Sequence, residues 1–254
     1  MLVSATEIIN KSWDLYRAHW RELSIYMLLL FIPTMILILV GILGLYLSMY
    51  LPAAALINDI LTLLILLAAF IFGLWTSVAL TMAVKSVYKD NVVLPWKTAY
   101  NNTAKLLWPI IYTSALVTLI VIGGTLLLII PGIIFTFWYI FSVQEIIFAG
   151  QKGLAAMSES KKLVVGRWWA VAFRFVAPAL LFVLASLMLQ QILIFPFTYM
   201  NSILNVKLIS NIISSLVNAA VAPLTVASVI ILYFSAKENT VSTSITPHIE
   251  PPKL

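Results

Sequence analysis

The chain has 254 residues, 63% hydrophobic and only 9% charged, with a mean hydropathy of +1.07 and a net charge of +6. So few charged side chains cannot clothe the surface of a water-soluble chain of this length. Cysteine is absent, which excludes a disulfide framework, a thiol nucleophile and a thiolate metal site.

A helix rises about 1.5 Å per residue, so crossing roughly 30 Å of hydrocarbon takes about 20 apolar residues. The sequence predicts an all-α polytopic membrane protein with six such spans, at 23–50, 60–84, 106–130, 133–148, 169–195 and 208–236. The first run begins too far from the start for a secretory signal peptide, so it is expected to be retained.

Polar helical segments precede alternate spans. Residues 7–22 place Ile9, Trp13, Tyr16 and Trp20 at helical spacing, with Asn10, Lys11, Asp14, Arg17 and Arg21 on the other face. This predicts an amphipathic helix lying in the membrane interface, tryptophans toward the acyl boundary. Residues 95–105 repeat the pattern with Trp96, Tyr100 and Leu107, and Pro95 suits a first helical position. In residues 154–167, Leu154, Met157, Val164 and Trp168 are in phase, although Lys161 interrupts the stripe. Trp108 and Trp169 join Trp13, Trp20, Trp96 and Trp168 as expected interfacial lipid contacts.

The connections are short. Pro131-Gly132 predicts a tight turn between the third and fourth spans. Asn58 and Asp59 are expected to cap the second span. The outer loops, 51–59 and 196–207, leave no room for a further domain. Residues 239–254, rich in Ser, Thr and Pro, are expected to form a disordered cytoplasmic tail after a membrane domain at 1–238.

Of the fifteen Lys and Arg, only Lys207 falls on the opposite side of the spans from the rest. The positive-inside rule then places both termini in the cytoplasm, in the cell membrane. The same rule explains the pI of about 9.5 without nucleic acid, and anionic lipid is the expected neighbour of the basic face.

Three units emerge, about 6–92, 93–150 and 151–238, each an interfacial amphipathic helix followed by a helical hairpin. Ser12, Leu15 and Trp20 match Ser160, Leu163 and Trp168 at a constant offset, and Lys89-Asp90-Asn91 matches Lys237-Glu238-Asn239 at the same offset. Parallel repeats occur in transporters, and simple duplication produces them too.

Several passages carry a family resemblance. One is Ile9-Asn10-Lys11-Ser12-Trp13-Asp14-Leu15-Tyr16 leading to Trp20. Another is Ile130-Pro131-Gly132-Ile133-Ile134, with its span ending near Glu145. A third is Gly153-Leu154-Ala155-Ala156-Met157-Ser158-Glu159-Ser160, running to Gly166-Arg167-Trp168, and Leu232-Tyr233-Phe234 also fits. In these the chain resembles the bacterial and archaeal multi-span proteins related to the membrane domain of glycerophosphoryl diester phosphodiesterase. The resemblance implies six helices with interfacial helices and no established activity. Phosphodiesterase chemistry in some relatives sits in an appended domain that these residues do not contain, so it does not carry over.

No catalytic or metal constellation is visible. His19 and His248 stand apart, and Gly123-Gly124 lacks the Lys-Ser/Thr of a phosphate loop. Glu145, beside Gln144 in an apolar run, is either a functional intramembrane acid or a structural partner of Arg174 or a lysine. Gln190 and Gln191 line a cavity or bond between helices. Ala69, Gly73 and Ser77 on the second span, and Ala219 and Ala227 on the sixth, are read as packing seams. These features point to a non-enzymatic membrane module, a scaffold or a lipid-interacting protein, with membrane lipid as partner and a homo-oligomer or another membrane protein as further partners. No cofactor is implied. The alternative is a small-solute transporter or channel with a cavity near Glu145, Arg174 and Gln190.

The charge distribution makes one expectation testable. Single cysteines introduced as Ser4→Cys and Ser242→Cys stay shielded from impermeant thiol reagents in intact cells, whereas Asn201→Cys labels. Labelling at either terminus overturns the orientation.

Overall fold

The structure, a computed structural model, describes residues 2–50, 54–199 and 203–245. Every element among them is helical: α1 (Ala5–Tyr50), α2 (Ala54–Asp90), α3 (Trp96–Ala104), α4 (Leu107–Leu127), α5 (Ile129–Trp138), α6 (Ser142–Ala149), α7 (Gly153–Val164), α8 (Trp168–Ile194) and α9 (Ile203–Ile245), with a 3-10 turn at Phe195–Tyr199. Six helical stretches are long and apolar enough to cross a membrane, α5 and α6 together making one of them.

Several boundaries move from their expected places. A kink at His19 (φ −124°, ψ 23°) separates the polar first part of α1 from its apolar remainder, ahead of the expected boundary. Ser4 caps α1, its Oγ accepting the Glu7 N–H at 3.2 Å. The helix α2 starts at Ala54, so Asn58 and Asp59 lie inside it and do not cap it. At the far end, α9 runs through Ile245, so the segment expected to be disordered from 239 begins as helix. Asn239 Nδ2 and Thr240 Oγ1 donate back to Ser235 O (2.7 Å) and Ala236 O (2.8 Å), which suits polar residues to a helix. The rest of that segment, 246–254, lies outside the described residues. With 37 residues, α2 is about 55 Å long, well over the roughly 30 Å of a hydrocarbon core.

The chain divides into two units, one of Met1–Lys11, Trp108–Pro178 and Ser228–Leu254, the other of Ser12–Leu107 and Ala179–Ala227. In the second, α3 packs on α2. The Trp75 indole N–H donates to Tyr100 O and Thr103 Oγ1, both at 3.2 Å, and the Thr76 and Tyr100 hydroxyls bond each other. The α2–α3 loop hangs on buried Ser86, whose Oγ accepts the Leu94 N–H (3.1 Å) and donates to Val92 O (2.8 Å). Tyr26 OH donates to Leu94 O at 3.0 Å.

Of the small residues Ala69, Gly73 and Ser77, expected to form a packing seam, a Cβ on Gly73 would meet nothing within 4 Å and Ser77 is exposed, so among the described residues no other helix covers this stripe. The buried stripe of α2 runs beside it, through Thr76, Leu80, Ala83 and Val87. Ala219 and Ala227 on α9 are buried as expected of a seam.

In the first unit, the α4–α5 hairpin turns at Leu128 (φ −159°, ψ 140°), upstream of Pro131-Gly132. Pro131 instead sits in the first turn of α5, where no intrahelical N–H is needed. Gly132 lets α5 approach Thr125, and Gly124 lets Phe135 approach α4; a Cβ on either would overlap its neighbour. The expected fourth span is broken between α5 and α6. The break frees the Trp138 carbonyl and the Phe141 N–H, and Ser160 on α7, fully buried, meets both. Its Oγ accepts from Phe141 N (3.1 Å) and donates to Trp138 O (2.8 Å). Lys161, which interrupted the α7 stripe in sequence, lies over the Trp138 ring at 4.1 Å. Gly150 ends α6 in the left-handed region (φ 71°), a conformation that favours glycine.

Ser160→Ala leaves the buried Phe141 N–H and the part-buried Trp138 carbonyl unmet, at a cost of about 1–3 kcal/mol. The melting temperature in detergent falls accordingly, while Ser158→Ala, at an exposed site on the same helix, changes it little. Equal melting temperatures for the two variants would show that Ser160 does not hold the break.

Candidate functional site

Three sites collect polar side chains, two in the first unit and one in the second. The first is centred on Glu145, 2% exposed, in the first turn of α6. Its expected partner Arg174 is not there; a lysine takes that place. Tyr233 OH donates to Glu145 Oε1 at 2.9 Å, and Lys237 Nζ reaches Oε1 and Oε2 at 3.1 and 3.2 Å. Lys237 Nζ also donates to Tyr233 OH at 2.8 Å. Both carboxylate oxygens are therefore met, which removes most of the penalty for burying the charge. Tyr233 and Lys237 are one helical turn apart on α9, so a single face presents both. That i, i+4 spacing was the sequence signal for this site. Gln144 is half-buried, and its Oε1 has no hydrogen-bond partner.

The second site is a cavity of about 560 Å3 at the start of α8, where Arg174 lies with Lys162, Arg167 and Thr240. Arg174 Nε donates to Val3 O (2.7 Å) and its NH1 to Ala170 O (3.0 Å). Arg167 Nε donates to Leu163 O (2.8 Å) and its NH2 to Ala236 O (2.7 Å). Burial draws the Arg167 pKa below the ordinary arginine value.

The third site is a groove of about 1320 Å3 walled by α1, α2 and α9. Leu30, Leu37, Ile38 and Ile42 give it an apolar side, while Asn58, Asp59 and Thr62 on α2 and Lys207, Asn211, Ser214, Ser215 and Asn218 on α9 give it a polar one. Asn58 packs where Gly44 has no side chain. Behind the wall, Asn218 Oδ1 accepts from Ser186 Oγ and Gln190 Nε2, both at 3.2 Å, and Gln190 Nε2 donates to Ser186 Oγ at 2.9 Å. Gln190 thus bonds between helices beside the groove, whereas Gln191 is exposed. Neither Glu145 nor Arg174 lines this groove. The sequence reading missed Asn211, Ser214 and Asn218, although their spacing of i, i+3 and i+7 puts them on one face.

The tryptophans divide. Trp13, Trp20, Trp96, Trp108 and Trp169 are exposed; Trp168 is half-buried and meets Phe137 edge-on at 5.2 Å, so it is a packing residue. Among the described residues no three His, Asp or Glu side chains gather where they could hold a metal ion. Comparisons with protein-family models, curated proteins and solved structures give no match.

The Glu145 cluster predicts an asymmetric mutant cycle. Removing Lys237 strands a buried carboxylate, whereas removing Glu145 strands a lysine whose side chain is 40% exposed. Lys237→Met therefore lowers the melting temperature more than Glu145→Gln, and the pair couples by on the order of 1–2 kcal/mol. Arg174→Gln combined with Glu145→Gln is additive. Strict additivity between Glu145 and Lys237 would refute the pairing.

Proposed function

We propose that this chain is a non-enzymatic integral membrane protein whose α1–α2–α9 groove holds an amphipathic lipid. The observation that carries this reading is the groove itself. At about 1320 Å3 it exceeds the roughly 300–1,000 Å3 of a small-molecule pocket. One wall is aliphatic and the other bears amides, hydroxyls, a carboxylate and an ammonium, which suits acyl chain on one side and headgroup on the other. Polar side chains on apolar helices are costly in contact with hydrocarbon alone, and a headgroup or water meets them.

Other features agree with a protein that works on lipid. The exposed Trp13 and Trp20, on either side of the α1 kink at His19, suit an interfacial segment. Ser12, Thr103 and Ser160, one from each of the three expected interfacial helices, are fully buried, which favours a common unit for α1, α3 and α7. Against strict repetition, Asn91 ends α2 with φ 55° while Asn239 stays within α9. The topology proposed has both termini in the cytoplasm, from the lysine and arginine distribution. The proposed kinship, with proteins related to the phosphodiesterase membrane domain, rests on the passages quoted above.

A small-solute transporter is the second reading, favoured by the broken α5–α6 span and by the two charges, Asp59 and Lys207, in the groove wall.

Gly41 lines the groove and a Cβ there meets nothing within 4 Å, so Gly41→Leu fills the groove without a clash. Lipid retained through detergent purification, read by native mass spectrometry, drops roughly tenfold for Gly41→Leu, an affinity change of about 1.4 kcal/mol. The melting temperature holds or rises, since leucine favours helix over glycine. Unchanged lipid content in folded Gly41→Leu refutes lipid occupancy. Solute flux in wild-type vesicles that Gly41→Leu blocks would put the transporter first.

A further inference from the structure

Among the described residues, the cavity at the start of α8 brings Arg167 and Arg174 together with no carboxylate in its lining. Arg167 and Arg174 both border it and both are half-buried. Each guanidinium has five N–H groups and donates to two backbone carbonyls, leaving the remaining N–H groups for a ligand. Those carbonyls fix each side chain in place. They satisfy hydrogen bonding but carry no negative charge. Among the described residues no carboxylate lies within 4.0 Å of either arginine. Lys162, at the exposed rim, is already paired with Glu159 at 2.7 Å.

We infer that this cavity binds a phosphomonoester group, held between Arg167 and Arg174. Two fixed guanidiniums sharing one small cavity repel each other, and an anion between them relieves the repulsion. A carboxylate brings one charge and two oxygens, enough for one arginine fork. A phosphomonoester brings about −1.5 to −2 charge and three oxygens, enough for two. The Thr240 hydroxyl borders the same space. So does Ala170 in the first turn of α8, where helix N–H groups lack intrahelical acceptors and favour anions. Gly166, with φ 82°, contributes wall without a side chain. The phosphate could be the headgroup of a membrane lipid or a soluble phosphate. Trp169, 80% exposed and two residues from Arg167, favours the lipid, because exposed tryptophan collects at headgroup depth.

The test uses the full chain in phosphatidylcholine nanodiscs. The melting temperature is read with phosphatidic acid doped into the bilayer, with phosphatidylglycerol at the same density, and with inorganic phosphate against chloride at matched ionic strength. Phosphatidic acid stabilises the wild type, phosphatidylglycerol stabilises it less, and Arg167→Gln weakens the apparent affinity for phosphatidic acid about tenfold. Arg167→Lys keeps the charge and loses the planar fork, so its affinity falls between the two. Arg174 also pins Val3, so Arg174→Gln tests folding as well as binding, and the wild-type and Arg167 measurements decide the question. If inorganic phosphate stabilises as strongly as the lipid, the site stands and its ligand is water-borne. Equal stabilisation by phosphatidylglycerol reduces the effect to surface charge and overturns the proposal. So does full phosphatidic acid affinity in folded Arg167→Gln.

Discussion

Away from water, a backbone N–H or C=O released from a helix must be met by another protein group, and four of the described irregular segments are arranged around that requirement. The device is repeated. A buried hydroxyl on a neighbouring helix accepts the N–H that the break sets free. Ser160 serves Phe141 at the α5–α6 break, Ser86 serves Leu94 in the α2–α3 loop, Thr113 serves Gly153 at the start of α7, and Ser235 serves Val3 ahead of α1. All four hydroxyl residues are buried. Serine and threonine suit the task because one oxygen both accepts and donates, so it closes a gap in the backbone ladder without introducing charge.

Charge is handled under the same constraint with different means. Glu145 is locked by a phenol and an ammonium from a single face of α9, and nothing about it is left over for a ligand. Arg167 and Arg174 are locked by carbonyls, which fix their direction but leave their charge uncompensated. The distinction separates the two sites. A buried acid with its own cation is complete, whereas two directed guanidiniums facing one cavity are not.

What the sequence made legible follows from how little information each feature needs. A span requires only a run of apolar residues of sufficient length, and all six are present as helices in the expected order. Break points need more, because they depend on which distant side chain can meet the freed backbone. Pro131-Gly132 looked like a turn, yet proline is equally at home in a first helical turn, and the actual reversal fell at Leu128. Glu145 and Arg174 seemed partners by their depth along the spans. Depth fixes one coordinate of a helical residue and leaves its direction around the axis open, and Tyr233 and Lys237 were the residues facing the acid. On α2, small residues at every fourth position define a smooth stripe, but their spacing does not say which neighbour covers it, and the side chains buried within this chain are Thr76, Leu80, Ala83 and Val87.

The same directional argument bears on what the groove can do. Asn211, Ser214, Ser215 and Asn218 stand at i, i+3, i+4 and i+7 on α9, a polar stripe on the side of that helix that lines the groove. Its members are neutral. Leaving neutral amides and hydroxyls beside a partly apolar cavity costs far less than leaving charges there, so such a groove is tolerable hydrated and gains when a polar headgroup arrives. An ion pathway calls for charge or dense carbonyls along its course. Here Asp59 and Lys207 are the charged residues in the groove lining, and the remainder is aliphatic or weakly polar. Apart from Asp59 and Lys207, the polar wall of the groove is made of neutral amides and hydroxyls, which suits an amphipathic occupant better than a permeating ion.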